Sequence, residues 1–382
     1  MATASSTSGI ASSPAPRPLV IREYGLDWLR VFAFGVLIFY HSGMMFVTWG
    51  FHIENEEKSR ALELVMLFFN RWRLPLLFFI SGAGVAFSLR RRGWGTFALE
   101  RLRRLGIPLL FGILVVVPPQ IYFERLFRGQ VFDSYWAFWK TVFDFVPYPQ
   151  GNTSWHHLWF VAYILVYSLI GIPIFAWLRS GAGRGAVAAL AGWVERFGPS
   201  VYLINIPSIA VGLTLGPHWP TTHNLTSDWA NLTGSFVTFL WGFVIASSPR
   251  WLDLIERRRR EFLIGGVLIA AIFYLAPLRG VPRELVSAYF GMLWIFTLIG
   301  YARHYIRRGS PMLTYCTEAV YPFYIVHQTV TIAAGYYIIQ QPWPLLVKLL
   351  AAMTATFLGS WATFEVVKRT RATRMLFGLK PD

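Results

Sequence analysis

The stretch Leu26-Asp27-Trp28-Leu29-Arg30-Val31-Phe32-Ala33-Phe34-Gly35-Val36-Leu37-Ile38-Phe39-Tyr40-His41-Ser42 decides the fold. From Gly25 to Thr48 the chain is apolar except for Asp27, Arg30 and His41. A run of that length reads as a first membrane-crossing helix. An ionisable group at a bilayer centre costs about 2.5–3.5 kcal/mol on insertion scales, so these three residues carry a functional expectation. Arg30 and His41 are eleven residues apart. At about 100° per residue that is three turns plus roughly 20°, so both lie on one face, roughly 16 Å apart along the axis. Asp27 sits one turn before Arg30 on the same stripe, which continues through Phe34 and Leu37. An arginine near a helix end can snorkel to the headgroups, and a lone histidine can be a satisfied core group. The two together on one face point to a bundle interior that does chemistry.

The rest of the composition agrees with a membrane chain. Of 382 residues, 55% are hydrophobic and only 14% charged, and the mean hydropathy is +0.47, which excludes an ordinary soluble enzyme. The single cysteine, Cys316, excludes an internal disulfide, and no His-Glu-x-x-His pattern is present, so no metal is expected. Residues 1–20 are rich in Ser, Ala, Thr and Pro and read as a disordered cytoplasmic tail, not a signal peptide. The membrane domain is expected over 21–368 and a basic cytoplasmic tail over 369–382.

The expected fold is all-α and polytopic, with about ten spans: 25–48, 62–89, 105–123, 156–178, 199–217, 229–248, 262–278, 285–302, 316–340 and 344–366. With the N-terminus placed in the cytoplasm, the inside segments carry 24 Lys and Arg, the outside loops seven, and the spans four. That bias places both termini inside. It also accounts for the net charge of +16 without a nucleic-acid partner.

Further polar residues interrupt the spans. Arg73 lies about a third of the way into the second span, where it can clamp a substrate or a developing negative charge or serve as a structural ion pair. Ser81-Gly82-Ala83-Gly84 permits close approach of a ligand or another helix. Arg101 and Arg104, in Glu100-Arg101-Leu102-Arg103-Arg104, share a helical face at the membrane surface. Such a pair suits a phosphate-bearing cofactor, because guanidinium binds phosphate oxygens bidentately. His156 and His157 open the fourth span, His327 lies within the ninth and Glu365 near the inner end of the tenth. His52, His218, His223 and His304 read as loop residues. The aromatic-rich outside segment from Glu124 to Trp155 suits either stacking on sugars or lying at the interface.

Taken together, these segments resemble the acyltransferase 3 family of bacterial integral-membrane transferases. The resemblance rests on Arg30 and His41 with ten residues between them, and on Arg22-Glu23-Tyr24-Gly25-Leu26-Asp27. It rests also on Arg73 followed by Phe78-Phe79-Ile80-Ser81-Gly82, Arg104-Leu105-Gly106-Ile107-Pro108, His157-Leu158-Trp159-Phe160 and Tyr324-Ile325-Val326-His327. It covers nearly the whole membrane region and is nearest to a branch associated with succinyl transfer to periplasmic glucans. Gln328 stands where that branch leads one to expect a second histidine.

The resemblance implies an acyl-CoA donor (succinyl-CoA or acetyl-CoA) used from the cytoplasm, and acylation of a glucan or other glycan hydroxyl outside. It also implies a bacterial inner-membrane location. On that reading His41 is the general base, Arg73 stabilises the oxyanion with His157 or His327, and Arg30 holds the donor or orients Asp27. The donor phosphates rest on Arg101, Arg103 and Arg104 beside Ser81, and the substrate side is completed by Asp27, His157, His327 and Glu365. An acyl-histidine variant of the mechanism stays open. So does a transporter or flippase, since intramembrane Arg and His fit proton-coupled transport on physics alone.

Overall fold

The computed structural model describes residues 23–380. The expected tail over 1–20 lies outside the described residues. The chain is all-helical; among the described residues the one extended pairing is a bridge between Pro147 and Thr153.

The first helix, α1 (Tyr24–Gly43), is the predicted one. It buries Leu29, Ala33, Val36, Leu37 and Tyr40. A long helix α2 (Arg60–Leu89) follows, started by the Ser59 side chain accepting from the Leu62 amide. Next comes α3 (Trp94–Phe127), longer than the expected 105–123 span. Of the arginines between the second and third expected spans, Arg90, Arg91 and Arg92 lie in the turn before α3, and Arg101, Arg103 and Arg104 lie within it. Two wide turns interrupt α3, at Leu102–Gly106 and Gly112–Val116. The second runs into Pro118 and Pro119, which have no amide hydrogen to give, so the helix ladder is re-registered there.

After a short helix α4 (Tyr135–Lys140) and a turn at His156–Leu158, α5 (Trp159–Ile170) and α6 (Ile172–Arg179) form one unit bent by 53° at Gly171. Helix α7 (Gly181–Arg196) and a turn at Gly198–Asn205 lead to α8 (Ile206–Thr214). Then come α9 (Trp229–Ser247), α10 (Pro249–Arg257), α11 (Arg259–Leu275) and α12 (Gly280–Tyr305). The described chain closes with α13 (Pro311–Ile338), α14 (Leu345–Val367) and α15 (Arg371–Leu376).

Six of these helices, α1, α2, α3, α9, α12 and α14, are long and apolar enough to cross a membrane, or seven with the bent α5–α6 pair. The chain is a multi-pass membrane protein. The other three expected spans fall on helices that are shorter or more polar. The 199–217 span falls on the turn before α8 and on α8 itself, and the 262–278 span on α11, which has 17 residues. The 316–340 span falls on α13, which is long but carries Glu318, His327, Gln328 and four threonines.

Helix α1 is packed between α2, α12 and α13, so its polar stripe faces protein as expected. Helix α2 is held by α9 at a very close crossing. A methyl group on Gly82 would lie 1.8 Å from the Phe239 carbonyl oxygen, and one on Gly242 would lie 1.9 Å from that of Phe79. Backbone therefore touches backbone there, and only glycine fits.

Residues 369–380 are more than a basic tail: α15 folds back onto the bundle. The Phe377 ring meets Phe111 at 5.4 Å and the Gly378 carbonyl accepts from Arg104 Nε at 3.2 Å. Gly378 has φ +65°, and a methyl group there would lie 2.3 Å from the Tyr321 ring and 2.6 Å from the Arg104 carbonyl oxygen.

Candidate active site

At the arginine-rich end of the bundle, α1, α2, α3, α5, α13 and the folded-back C-terminal turn enclose a cavity of about 950 Å³. Seven cationic side chains line it against four anionic ones. Arg30, Asp27, Ser81, Arg101 and Arg104, all singled out from sequence, are among the lining residues. Arg30 Nη2 lies 3.8 Å from Asp27 Oδ1. Arg101 sits with its Cζ 5.0 Å from the centre of the Phe97 ring, and Arg104 Nη1 is 3.6 Å from Glu100. The Ser81 hydroxyl donates to the Leu77 carbonyl at 2.8 Å. Arg103 is exposed and lies outside the lining. Arg91, Arg92, Arg374 and Lys380 line the cavity as well; in the sequence their charge read only as topology.

The cavity ends against Phe34 and Tyr324, whose rings pack edge to face at 5.6 Å. The Tyr324 hydroxyl is tied to the His157 backbone carbonyl. Beyond this aromatic pair lies a cluster of three histidines. His327 is 5.0 Å from His41 and 5.1 Å from His157, centre to centre. His327 and His157 are buried, at 1% and 7% exposure. His41 is therefore not in the same open chamber as Arg30. The two share the α1 stripe, with Phe34 between them.

Arg73 is buried, and its Cζ lies 3.5 Å from the centre of the Tyr40 ring, over its face. A guanidinium so placed gains a cation–π contact. Its Nε and Nη1 are buried and have no hydrogen-bond partner among the described residues. Tyr40 in turn packs edge-on against His41 at 6.0 Å. The structure thus brings His41, Arg73, His157 and His327 into one neighbourhood.

Hydrogen bonds fix two of the imidazoles. His157 Nε2 is 3.0 Å from the Ile325 carbonyl oxygen and must donate to it, so its Nδ1 is the acceptor for Gln120 Nε2 at 3.3 Å. Gln120 also donates to Thr329 Oγ1 at 2.8 Å and accepts from Gln328 Nε2 at 3.2 Å. Gln328 Nε2 faces His52 Nε2 at 3.3 Å, and His52 Nδ1 is 2.5 Å from Glu124 Oε2. Glu124 is fully buried and also takes the Tyr148 hydroxyl at 2.8 Å and Arg128 at 2.7 Å. Burial and this hydrogen bond to Glu124 hold the Tyr148 phenol above its usual range.

The sequence reading missed this outer network. Gln120 and Glu124 are four apart on one helix face, a signal that was available, whereas His52 reaches Glu124 only through tertiary packing. Ligand atoms of His52, Glu124 and His156 also lie within 4.8 Å of one another. The His52 and His156 rings, however, are stacked at 4.6 Å with 20° between their planes. Their lone pairs therefore run side by side, and Glu124 is already shared with His52, Tyr148 and Arg128. Glu365, also singled out from sequence, is in neither chamber. It binds Tyr315 Oη at 2.6 Å and Lys368 Nζ at 2.7 Å on the outer side of α13 and α14.

A cationic chamber at one end of the bundle and a buried histidine–arginine cluster beyond it could bind an anionic ligand and move a proton inside a multi-pass membrane protein. In agreement with this geometry, the acyltransferase domain family matches residues 23–365, and the chain belongs to it. Over 391 aligned residues it is 22% identical to glucans biosynthesis protein C of Salmonella schwarzengrund (strain CVM19633), which covers 97% of each chain. The proteins of that name from Salmonella agona (strain SL483) and Salmonella enteritidis PT4 (strain P125109) match to the same extent. No solved structure matches the chain.

Proposed function

We propose that this membrane acyltransferase moves a succinyl or acetyl group from a cytoplasmic acyl-CoA to a hydroxyl of an extracytoplasmic glucan or related glycan. The protein sits in a bacterial inner membrane with both termini in the cytoplasm. The observation that carries the reading is the excess of cations in a cavity that ends one aromatic layer from the histidine cluster. The cavity, at about 950 Å³, is at the upper end of the usual range for small-molecule sites. Arg101 and Arg104, with Arg91, Arg92 and Arg374 nearby, suit the donor's phosphates. Arg30 and Ser81 suit its arm. The name of the Salmonella relatives supports a glucan as acceptor.

In the reaction the acceptor hydroxyl gives its proton to His41 while its oxygen attacks the thioester carbonyl carbon. The carbonyl oxygen gathers negative charge, and Arg73, whose Nε and Nη1 have no partner among the described residues, stabilises it. The C–S bond then breaks, and the thiolate leaves and takes the proton from His41. No net proton is released, so the chemistry needs no separate proton path across the membrane.

The test is purified protein in nanodiscs, given acyl-CoA and a glucan and assayed for ester product. Product is expected with the native chain. His41→Ala is expected to lose it at normal membrane abundance. Glycan or anion movement across vesicles without ester formation would make the chain a transporter and end this reading.

A further inference from the structure

We infer that His327 is the positioning partner of His41, the two imidazoles forming a dyad through a hydrogen bond from His41 Nδ1–H to His327 Nε2. The inference rests on the function proposed above and adds the element that orients its base.

The argument is one of unsatisfied atoms. His327 Nδ1 lies 2.7 Å from the Tyr324 carbonyl oxygen one turn earlier on α13. A carbonyl only accepts, so this nitrogen carries the proton and Nε2 carries the lone pair. That Nε2 is buried and has no partner among the described residues. His41 Nδ1 is buried and without a partner in the same sense, and no hydrogen bond within the described chain orients the His41 ring. Two orphaned buried polar atoms in one cluster each carry an uncompensated desolvation cost.

They are complementary, and their rings are already 5.0 Å apart at 63°. Two imidazoles joined by one N–H···N bond of about 3 Å have centres roughly 5 Å apart, so the ring spacing matches a dyad once the His41 ring turns its Nδ1 toward His327. His157 cannot take this role, because both of its nitrogens are engaged.

The dyad settles which nitrogen of His41 does the work. With Nδ1–H directed at His327, the lone pair sits on Nε2, free for the acceptor hydroxyl. When His41 takes that proton, its positive charge is shared with the His327 lone pair. The logic is that of a triad in which a neutral imidazole, itself anchored on a backbone carbonyl, replaces the carboxylate. Proton transfer by a positioned general base typically contributes about 10²–10⁴ in rate, and the dyad is what positions it.

Two near-isosteres separate the dyad from a merely structural histidine. His327→Asn keeps a donor near the Nδ1 position, hence the bond to Tyr324, but loses the acceptor. His327→Gln places its amide oxygen near the Nε2 position, hence keeps an acceptor for His41. The dyad requires kcat to fall about a hundredfold in the Asn variant with donor KM unchanged, and the Gln variant to recover most of it. Equal kcat in the two variants, or the higher kcat in the Asn variant, overturns the proposal. The native protein supplies a reading that needs no substitution: with 15N-labelled histidine, a nitrogen–nitrogen coupling between two imidazoles is expected, and a protonated His327 Nε2 refutes the pairing. An active His41→Ala would instead refute the function proposed above, whereas an inactive His41→Ala beside a fully active Asn variant refutes the dyad alone.

Discussion

Replacing Arg101 and Arg104 together by alanine tests the arginine-lined cavity as a donor site. Both guanidinium groups line it. Arg104 shares its charge with Glu100 at 3.6 Å and gives one N–H to the Gly378 carbonyl, so it contributes less to a ligand than a free arginine. A charge-assisted hydrogen bond is worth about 1.5–3 kcal/mol. Taking the low end for both arginines gives about 3 kcal/mol, somewhat over a hundredfold in affinity at about 1.4 kcal/mol per decade. The assay is calorimetric binding of coenzyme A to protein in nanodiscs near 0.15 M salt, since exposed charges are screened there and a surface effect would be small. Arg103→Ala is the internal control, because that side chain is exposed and outside the cavity. It should shift affinity less than threefold. An unchanged affinity in the double variant, or an equal loss in Arg103→Ala, refutes the assignment of the cavity to the donor.

Other outcomes follow from the packing. Gly82→Ala puts a methyl group 1.8 Å from the Phe239 carbonyl oxygen, and forcing two helices apart costs about 1–3 kcal/mol. The melting temperature of the detergent-solubilised protein should fall, and an unchanged melt would mean that the crossing is looser than described. Gln120→Leu removes one donor to His157 Nδ1, a second to Thr329 and the acceptor for Gln328. Transfer should slow at least tenfold, at about 1.4 kcal/mol per decade, with coenzyme A affinity unchanged; loss of donor binding in that variant would show that the Gln120 network also shapes the arginine-lined cavity.

The parts of the fold legible in the sequence are those that local pattern controls. The α1 stripe could be read because three ionisable residues stand out in an apolar run, and a helix fixes their relative facing. Arg101 and Arg104 on one face, with Arg103 turned away, follow from the same geometry, although the sequence reading had kept all three. The start of α3 at Trp94 was hidden because arginines at a membrane surface look alike in a loop and in a helix. The return of α15 and Gly378 to Arg104 joins residues 274 positions apart, and no local signal encodes it. His52 is the loop residue the sequence suggested, but its partner Glu124 is 72 positions away and no local signal joins the two. The separation of Arg30 from His41 was also missed. Spacing along one helix says that two side chains share a face, but not that Tyr324 from α13 closes on Phe34 between them.

That closure has a consequence for the membrane as an insulator. A passage reaching from the arginine-lined mouth to the histidines would be a leak for ions and protons. Phe34 and Tyr324, the latter tethered through its hydroxyl to the His157 carbonyl in the turn before α5, act as a plug that only a slender organic chain need displace. Vesicles containing the resting protein should therefore hold a proton gradient as well as empty ones, and trimming Phe34 to alanine should let it decay.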